Sequence, residues 1–281
     1  MAESENPRDG EFELVTLRNG SRAVRHLGHG EVMHPSVGPW KEALGLYVDP
    51  PRLADRLRQP GAPLVILDVG LGAATNAVAA LTRARELGSE RRRELHVVSF
   101  EVDLAPLRLA LADPQGFPFL QPFREAAEAL IRDGRWEEDG LRWELKLGEA
   151  RAYLRGVLPV ADLVFFDPFS PASNPDMWTE HALAEVRRHC REEGEGALLM
   201  TYSAATPTRV TLLLAGFYVG AGAATGTKGE TTVASTRLES LEAPLGARWL
   251  ERWKRSSSRA PHGAELTPEV ETRLLGHPQW R

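Results

Sequence analysis

Residues 64–101 constrain the fold more than any other stretch of the chain. Leu64-Val-Ile-Leu-Asp68-Val69 is an apolar run short enough for a strand buried on both faces, and glycines follow it at once. Residues 75–87 then carry helical spacing, and a second run, Leu95-His-Val-Val-Ser-Phe-Glu101, reads as the next strand. The alternation continues with a helix over 104–112, a strand over 141–147 and another over 161–167. A helix over 179–191, a strand over 196–202 and a helix over 206–215 follow. Strand alternating with helix implies a parallel sheet covered on both faces. Two closing strands, near 217–223 and 231–237, flank a Gly/Thr-rich turn with no helix between them, so they must pair as a hairpin. The expected fold class is α/β, Rossmann-like, with a mostly parallel sheet ending in an antiparallel hairpin. This is the layout expected of a 61–240 core.

Upstream, residues 12–26 read as a hairpin in which Asn19-Gly20 supplies the positive φ angles of a type I′ turn. Residues 39–47 look like a short helix. The division expected is a disordered stretch over 1–10, a hairpin and lead-in segment over 11–60, the core, and a basic, aromatic extension over 241–281. The chain of 281 residues is 42% hydrophobic and 26% charged, a globular composition. No apolar run approaches the roughly 20 residues that span a bilayer, so no membrane partner is expected. The polar, acidic start is neither a secretory signal nor a transit peptide. A single cysteine, Cys190, excludes an intrachain disulfide and fits a reducing cytoplasm. A net charge of -5 argues against a protein that coats nucleic acid but leaves room for a local basic patch.

In such sheets ligands sit at the carboxyl ends of the strands. Three features fall there. Asp68-Val-Gly70-Leu-Gly72-Ala-Ala-Thr-Asn76 is a glycine turn that lets backbone approach a ligand and leads into free helix N–H groups. A dinucleotide fingerprint would want a third glycine where Thr75 stands, which disfavours NAD. Glu101, closing the second strand, is placed to accept the ribose hydroxyls of a nucleoside cofactor; a solvated acid is the bland alternative. The third feature is Phe166-Asp167-Pro168-Phe169-Ser170-Pro171, running on to Asn174-Pro175-Asp176-Met177-Trp178. Two prolines fix this loop, and Asp167 closes the fourth strand, where a carboxylate can steer or take a proton from an amine nucleophile.

The run Asp167–Trp178 resembles the signature of the MnmC-type tRNA methyltransferases, which are class I S-adenosylmethionine-dependent enzymes. Val69-Gly-Leu-Gly72 with Asn76, the segment ending in Glu101, Thr201-Tyr-Ser-Ala204 and Ala215-Gly-Phe217 are similar to the family in the same order. Met33 and Glu42 resemble its lead-in segment, and 244–257 its stand-alone members. The resemblance implies N-methylation of the aminomethyl group of a wobble 5-aminomethyl-(2-thio)uridine in tRNA, in the cytoplasm, with S-adenosyl-L-methionine as cofactor. It implies Asp68, Gly70, Gly72, Asn76, Glu101, Gly148, Glu149 and Asp167 around the cofactor, Glu149 reaching towards the adenine. Asp167 would be the catalytic group. Met33, Glu42, Pro168, Phe169, Trp178, Tyr202 and Lys228 would meet the substrate, Trp178 and Tyr202 as pocket walls. No flavin-dependent oxidase domain fits in this length, so a separate oxidase partner in the same pathway is expected. The chain departs from the family at Ala73 and Ala74, which replace a polar residue and a glycine. It departs again at Ser173, where many members have Lys, and in the hairpin 226–231, which has lost basic residues.

His26, His29 and His34 lack a regular ligand spacing, and no metal site is expected. Arg91-Arg-Arg93 reads as a solvated cluster near a helix end. Cys190 reads as structural. In the tail, Arg248, Arg252, Lys254, Arg255 and Arg259 interleave with Trp249 and Trp253. That pattern suits phosphate contact with base stacking, or a docked amphipathic helix with both tryptophans in the core. The functions in competition are a small-molecule N-methyltransferase or aminopropyltransferase on the same scaffold, and a non-catalytic binding protein.

Overall fold

A computed structural model describes residues 8–34, 37–224 and 229–281. They fall into two compact units, the first ending at Ala150 and the second beginning at Arg151.

The first unit opens with a small antiparallel sheet of β1 (Arg8–Asp9), β2 (Phe12–Thr16) and β3 (Arg22–His26). Arg8 and Asp9 pair with Glu13 and Phe12, so the disorder expected over 1–10 does not reach them; residues 1–7 lie outside the described residues. The hairpin is present, but its turn is not type I′. The loop spans Leu17 to Ser21, Gly20 N–H donates to the Leu17 carbonyl at 2.9 Å, and of the Asn-Gly pair only Gly20 has positive φ. Asn19 instead accepts from the Ser21 amide and hydroxyl through Oδ1, at 3.0 and 2.7 Å, which gives the side chain a local partner and removes the need for a left-handed backbone.

α1 (Pro39–Ala43) widens into a π turn over Leu44–Val48, and α2 (Leu53–Arg58) leads to the main sheet. There β4 (Leu64–Val69), α3 (Thr75–Leu87), β5 (Leu95–Glu101), α4 (Ala105–Ala112), α5 (Arg124–Asp133), β6 (Arg135–Glu138) and β7 (Leu141–Leu147) follow one another. β4 and β5 are parallel, β5 and β7 are parallel, and β6 turns back antiparallel on β7. Every residue of β4 is buried, as a continuous apolar run requires. α5 and β6 were not legible: α5 buries two alanines and one leucine, and β6 is almost wholly solvent-facing. The β6–β7 hairpin does have a type I′ signature, at Asp139-Gly140, where both φ angles are positive at 49° and 69°.

The second unit holds most of α6 (Ala150–Leu154), then β8 (Leu163–Phe166), α7 (Glu180–Arg188), β9 (Leu198–Thr201), α8 (Thr206–Leu214), β10 (Tyr218–Gly222), β11 (Thr231–Ser235), α9 (Ala247–Arg255) and α10 (Pro268–Leu275). β8 and β9 are parallel, and β11 runs antiparallel to both β9 and β10, the closing hairpin expected. The C-terminal segment is tied to β10 by buried Gln279. Its amide oxygen accepts from Val219 N–H at 2.7 Å, and its nitrogen donates to the Val219 and Leu245 carbonyls at 2.7 and 2.8 Å.

One local feature breaks a conformational rule. Ala74, at the start of α3, has φ 61° and ψ 19°, a left-handed conformation that costs a residue with a Cβ roughly 1–2 kcal/mol. The turn hydrogen bonds enforce it, with Ala74 N–H donating to Leu71 at 2.8 Å and Val78 N–H donating back to Ala74 at 2.9 Å. Relief of that strain exceeds the extra chain entropy that glycine adds to the unfolded state. Ala74→Gly is therefore expected to stabilise the protein by about 0.5–1 kcal/mol in urea unfolding.

Candidate cofactor and acceptor sites

In the first unit, backbone geometry builds a cradle at the end of β4. The chain turns through Gly70 at φ 94° and Gly72 at φ 53°. Gly70 and Leu71 N–H both donate to the Phe100 carbonyl, at 3.1 and 3.2 Å, which stitches the turn to the end of β5. Glu101 lies directly against it. Gly72 N–H donates to Glu101 Oε2 at 2.8 Å, while Val102 and Asp103 N–H donate to Oε1 at 2.7 and 3.2 Å. A carboxylate offers about four lone-pair sites, so these three amides leave acceptor capacity on Oε2 for a hydroxyl donor. Burial pushes the Glu101 carboxyl upward, and the amides of Gly72, Asp103 and Val102 pull against that shift.

Met33 covers the turn: a Cβ placed on Gly72 would stand 3.1 Å from Met33 Sδ. Met33 is fixed there by its amide, which donates to the Val24 carbonyl at 2.9 Å. Gly148, at φ 128°, donates its N–H to the Glu101 carbonyl at 2.7 Å, and Glu149 beside it is exposed. Asn76 is buried in the first turn of α3, next to Thr75, whose buried hydroxyl has no hydrogen-bond partner among the described residues. Two expected residues stand apart from this group. Asp68 is wholly buried under the turn, where it accepts from Ser99 Oγ at 2.7 Å, and Ser99 in turn accepts from Trp143 Nε1 at 2.9 Å. It is part of the sheet's polar interior and presents no surface to a ligand. Glu42 is buried in α1 with its Oε1 3.6 Å from His34 Nδ1.

In the second unit, the proline loop after β8 is held by its own carbonyls. The Trp178 indole N–H donates to the Phe169 carbonyl at 2.9 Å, and the Tyr202 hydroxyl donates to the Pro168 carbonyl at 3.2 Å. Ser173 and Asn174 N–H both donate to the Ser170 carbonyl, at 2.9 and 2.8 Å, closing a compact turn before the single helical turn Pro175–Trp178. Asp167 and Phe169 are left half-buried on either side of buried Pro168. Trp178 does not wall an open pocket as expected. Its ring is fully buried, edge-on to Phe166 at 5.1 Å, Tyr202 at 5.8 Å and His262 at 5.9 Å, so it supports the loop from behind. Tyr202 stays half-buried at the end of β9. Lys228 lies outside the described residues.

Sequence reasoning missed three supports of this site. His262 Nε2 lies 3.0 Å from Thr208 Oγ1, which lies 2.9 Å from Ser203 Oγ, tying the tail to the residues after Tyr202. Burial lowers the His262 pKa. Arg209 is buried within α8 and donates to Thr232 Oγ1, the Thr231 carbonyl and Glu230 at 3.1, 2.9 and 3.0 Å. Nothing in the local sequence marks that arginine as internal, since only the fold brings 209 to 230–232.

Other expectations are corrected by packing. Arg92 and Arg93 are not free surface charges. Arg92 donates to the carbonyls of Ala84, Asp139, Arg93 and Gly140, and Arg93 to those of Arg56 and Ala62, so the pair ties loops together. Trp249 and Trp253 are buried, which rules out base stacking by them in this conformation. Cys190 is buried, donates to the Val186 carbonyl at 3.4 Å, and has its thiol pushed up to about 12 by burial, consistent with a structural role. His26 packs on Phe12 and His29 at 4.7 and 4.4 Å between ring centres. Among the described residues no group of His, Cys, Asp and Glu is arranged to hold a metal, and no helix is long and apolar enough to cross a membrane.

Comparison with known proteins bears on both halves. Residues 121–237 match a family described as S-adenosyl-L-methionine-dependent methyltransferase. The chain is similar to MNMC2 from Aquifex aeolicus, a solved structure, with 28% identity, a TM-score of 0.73, and coverage of 98% of this chain and 86% of that one. These matches support an MnmC-type S-adenosyl-L-methionine-dependent methyltransferase. The chain is also 30% identical over 226 residues to the tRNA 5-methylaminomethyl-2-thiouridine biosynthesis bifunctional protein MnmC of Methylibium petroleiphilum, covering 78% of this chain and 34% of that protein. The protein of the same name from Paracidovorax citrulli is 34% identical over 161 residues, 55% of this chain and 25% of its own. This MnmC-type chain therefore spans a quarter to a third of the length of those bifunctional relatives. The whole-chain match to MNMC2 establishes the class I, Rossmann-like fold for both units, and S-adenosyl-L-methionine is the cofactor of the family.

The buried Trp178 holds the shape of the proline loop through one hydrogen bond. Trp178→Phe keeps most of the packing and leaves the Phe169 carbonyl without its indole donor, at a cost of about 1–3 kcal/mol. The expected result is a lower urea midpoint with an unchanged slope.

Proposed function

We propose that this chain transfers the methyl group of S-adenosyl-L-methionine to the aminomethyl nitrogen of a modified wobble uridine in tRNA. The observation that carries this reading is the Asp167–Trp178 loop. Its two leading carbonyls are pinned by Tyr202 and Trp178 while Asp167 is left half-buried at the end of β8. The names of the bifunctional relatives supply the acceptor class.

The first unit fits the cofactor. Glu101 keeps acceptor capacity on Oε2 for a ribose hydroxyl, and the left-handed Gly70 and Gly72 bring backbone close without side chains. The buried, unpartnered Thr75 hydroxyl at the start of α3 offers a further polar contact. We assign Gly70, Gly72, Asn76, Glu101 and Gly148 to this cradle, with Met33 over it and exposed Glu149 towards the adenine. The bound cofactor supplies an electrophilic methyl on a sulfonium sulfur. What the chain supplies is position and proton management. Asp167 would hold the attacking nitrogen through its N–H groups and leave its lone pair free for the methyl that the cofactor would supply. The proton released from nitrogen passes to the carboxylate or, steered by it, to water. Phe169 and Tyr202 line the acceptor side, with Pro168 fixing the loop between them. The target uridine leaves the anticodon stack to reach these groups. The chain acts in the cytoplasm, in one pathway with an oxidase partner.

The test is transfer of labelled methyl from the cofactor to bulk tRNA taken from cells lacking this enzyme, followed by nucleoside analysis. Label in methylaminomethyl-uridine is expected. Label in small amines only, insensitive to RNase, would overturn the tRNA reading in favour of a small-molecule methyltransferase. Asp167→Ala is expected to abolish turnover, by at least about a hundredfold, with cofactor affinity changed little.

A further inference from the structure

α9 presents a stripe of exposed arginines. Arg248, Arg252 and Arg255 fall at i, i+4 and i+7, so they share one side of the helix. All three are exposed, while Trp249 and Trp253 turn inward and are buried. Arg248 and Arg252 make no hydrogen bond or ion pair among the described residues, and Arg255 donates only to the Glu251 carbonyl. The one carboxylate on the helix, Glu251, is taken by Lys254 at 2.8 Å.

This arrangement is unfavourable for an isolated helix. Like charges at i,i+4 repel. Cations in the last turn, such as Arg252 and Arg255, are favoured by the macrodipole, but Arg248 sits in the first turn, at the positive end, where no acidic residue accompanies it. The stripe is nevertheless rigidly mounted. Trp253 Nε1 donates to the Arg259 carbonyl at 3.0 Å, Trp249 stacks on Trp280 with ring centres 6.1 Å apart, and Gln279 binds the Leu245 carbonyl just before the helix. Three guanidinium groups held along about 10 Å of helix, at a rise of about 1.5 Å per residue, match a polyanion of regularly spaced charges rather than a single small anion.

We propose that the outer face of α9 is a docking ridge for the phosphate backbone of RNA. The inference deepens the tRNA reading above and rests on it for the identity of the polyanion. Contact is to phosphates only, because the tryptophans are committed to the interior. The ridge therefore contributes affinity and orientation, without base readout.

The test measures binding of a fluorescent tRNA to the full chain over a salt series. The comparison is with the triple variant Arg248→Gln, Arg252→Gln, Arg255→Gln. The variant is expected to bind about tenfold more weakly near 0.1 M salt, with its log–log salt slope shallower by about 2, since each lost phosphate contact removes about 0.7–0.9. The matching triple Lys variant should retain the slope, which separates charge from packing of the side-chain stems. Cofactor affinity should be the same in all three proteins. A Gln variant with unchanged RNA affinity and slope would overturn the proposal. Because binding is read directly, it is decided even if methyl transfer to tRNA is not observed, an outcome that would count against the tRNA reading alone.

Discussion

The hydrogen bond from Gly72 N–H to Glu101 Oε2 is the interaction on which the candidate site depends. It joins the turn after β4 to the end of β5, and it fixes the carboxylate proposed to meet the nucleoside. A side chain at position 72 would meet the Met33 sulfur and would have to adopt positive φ, so backbone, lid residue and acid are mutually constrained. Beneath them, the chain of bonds from Trp143 through Ser99 to Asp68 satisfies polar groups inside the sheet and keeps the strand ends from shifting.

The acceptor side obeys a different logic. Its loop has few regular hydrogen bonds, and its shape comes from side chains that reach in from elsewhere in the second unit. Trp178 and Tyr202 pin adjacent carbonyls, His262 reaches Ser203 through Thr208, and Arg209 fastens α8 to β11. A loop carrying the acid proposed to hold the amine has to be stiff, since a displacement of one ångström removes most of the benefit of positioning. Prolines limit its freedom before folding, and buried aromatics do the rest.

Much of the fold could be read from the chain because buried parallel strands appear as continuous apolar runs. The bounds of β4 and β5 follow directly from that pattern, and those of α3 from its helical spacing. The solvent-facing β6 and the alanine-faced α5 carry no comparable signal, and the two turn motifs exchanged roles: Asp139-Gly140 is the type I′ turn, whereas Asn19 found a side-chain partner instead. The strand-end positions of Glu101, the glycines and the Asp167 loop were legible, because each directly follows or closes an apolar run. The candidate site was not legible for Asp68 and Trp178, because a motif does not tell which way a side chain faces. Ala74 shows the converse: the turn demands a left-handed residue and keeps that backbone with alanine in place of the family's glycine.

The most direct measurement is calorimetric titration of S-adenosyl-L-methionine into the wild-type chain and Glu101→Ala, repeated from pH 8 down to pH 5. A hydroxyl donates more strongly to the ionised acid than to the neutral one, and burial raises the Glu101 pKa, so wild-type affinity should fall on acidification before ordinary carboxylates titrate, at about pH 4.3. The account predicts that Glu101→Ala binds at least about tenfold more weakly at pH 8 and loses this pH dependence. Equal affinity and the same pH profile in both proteins would contradict it and move the nucleoside away from the end of β5.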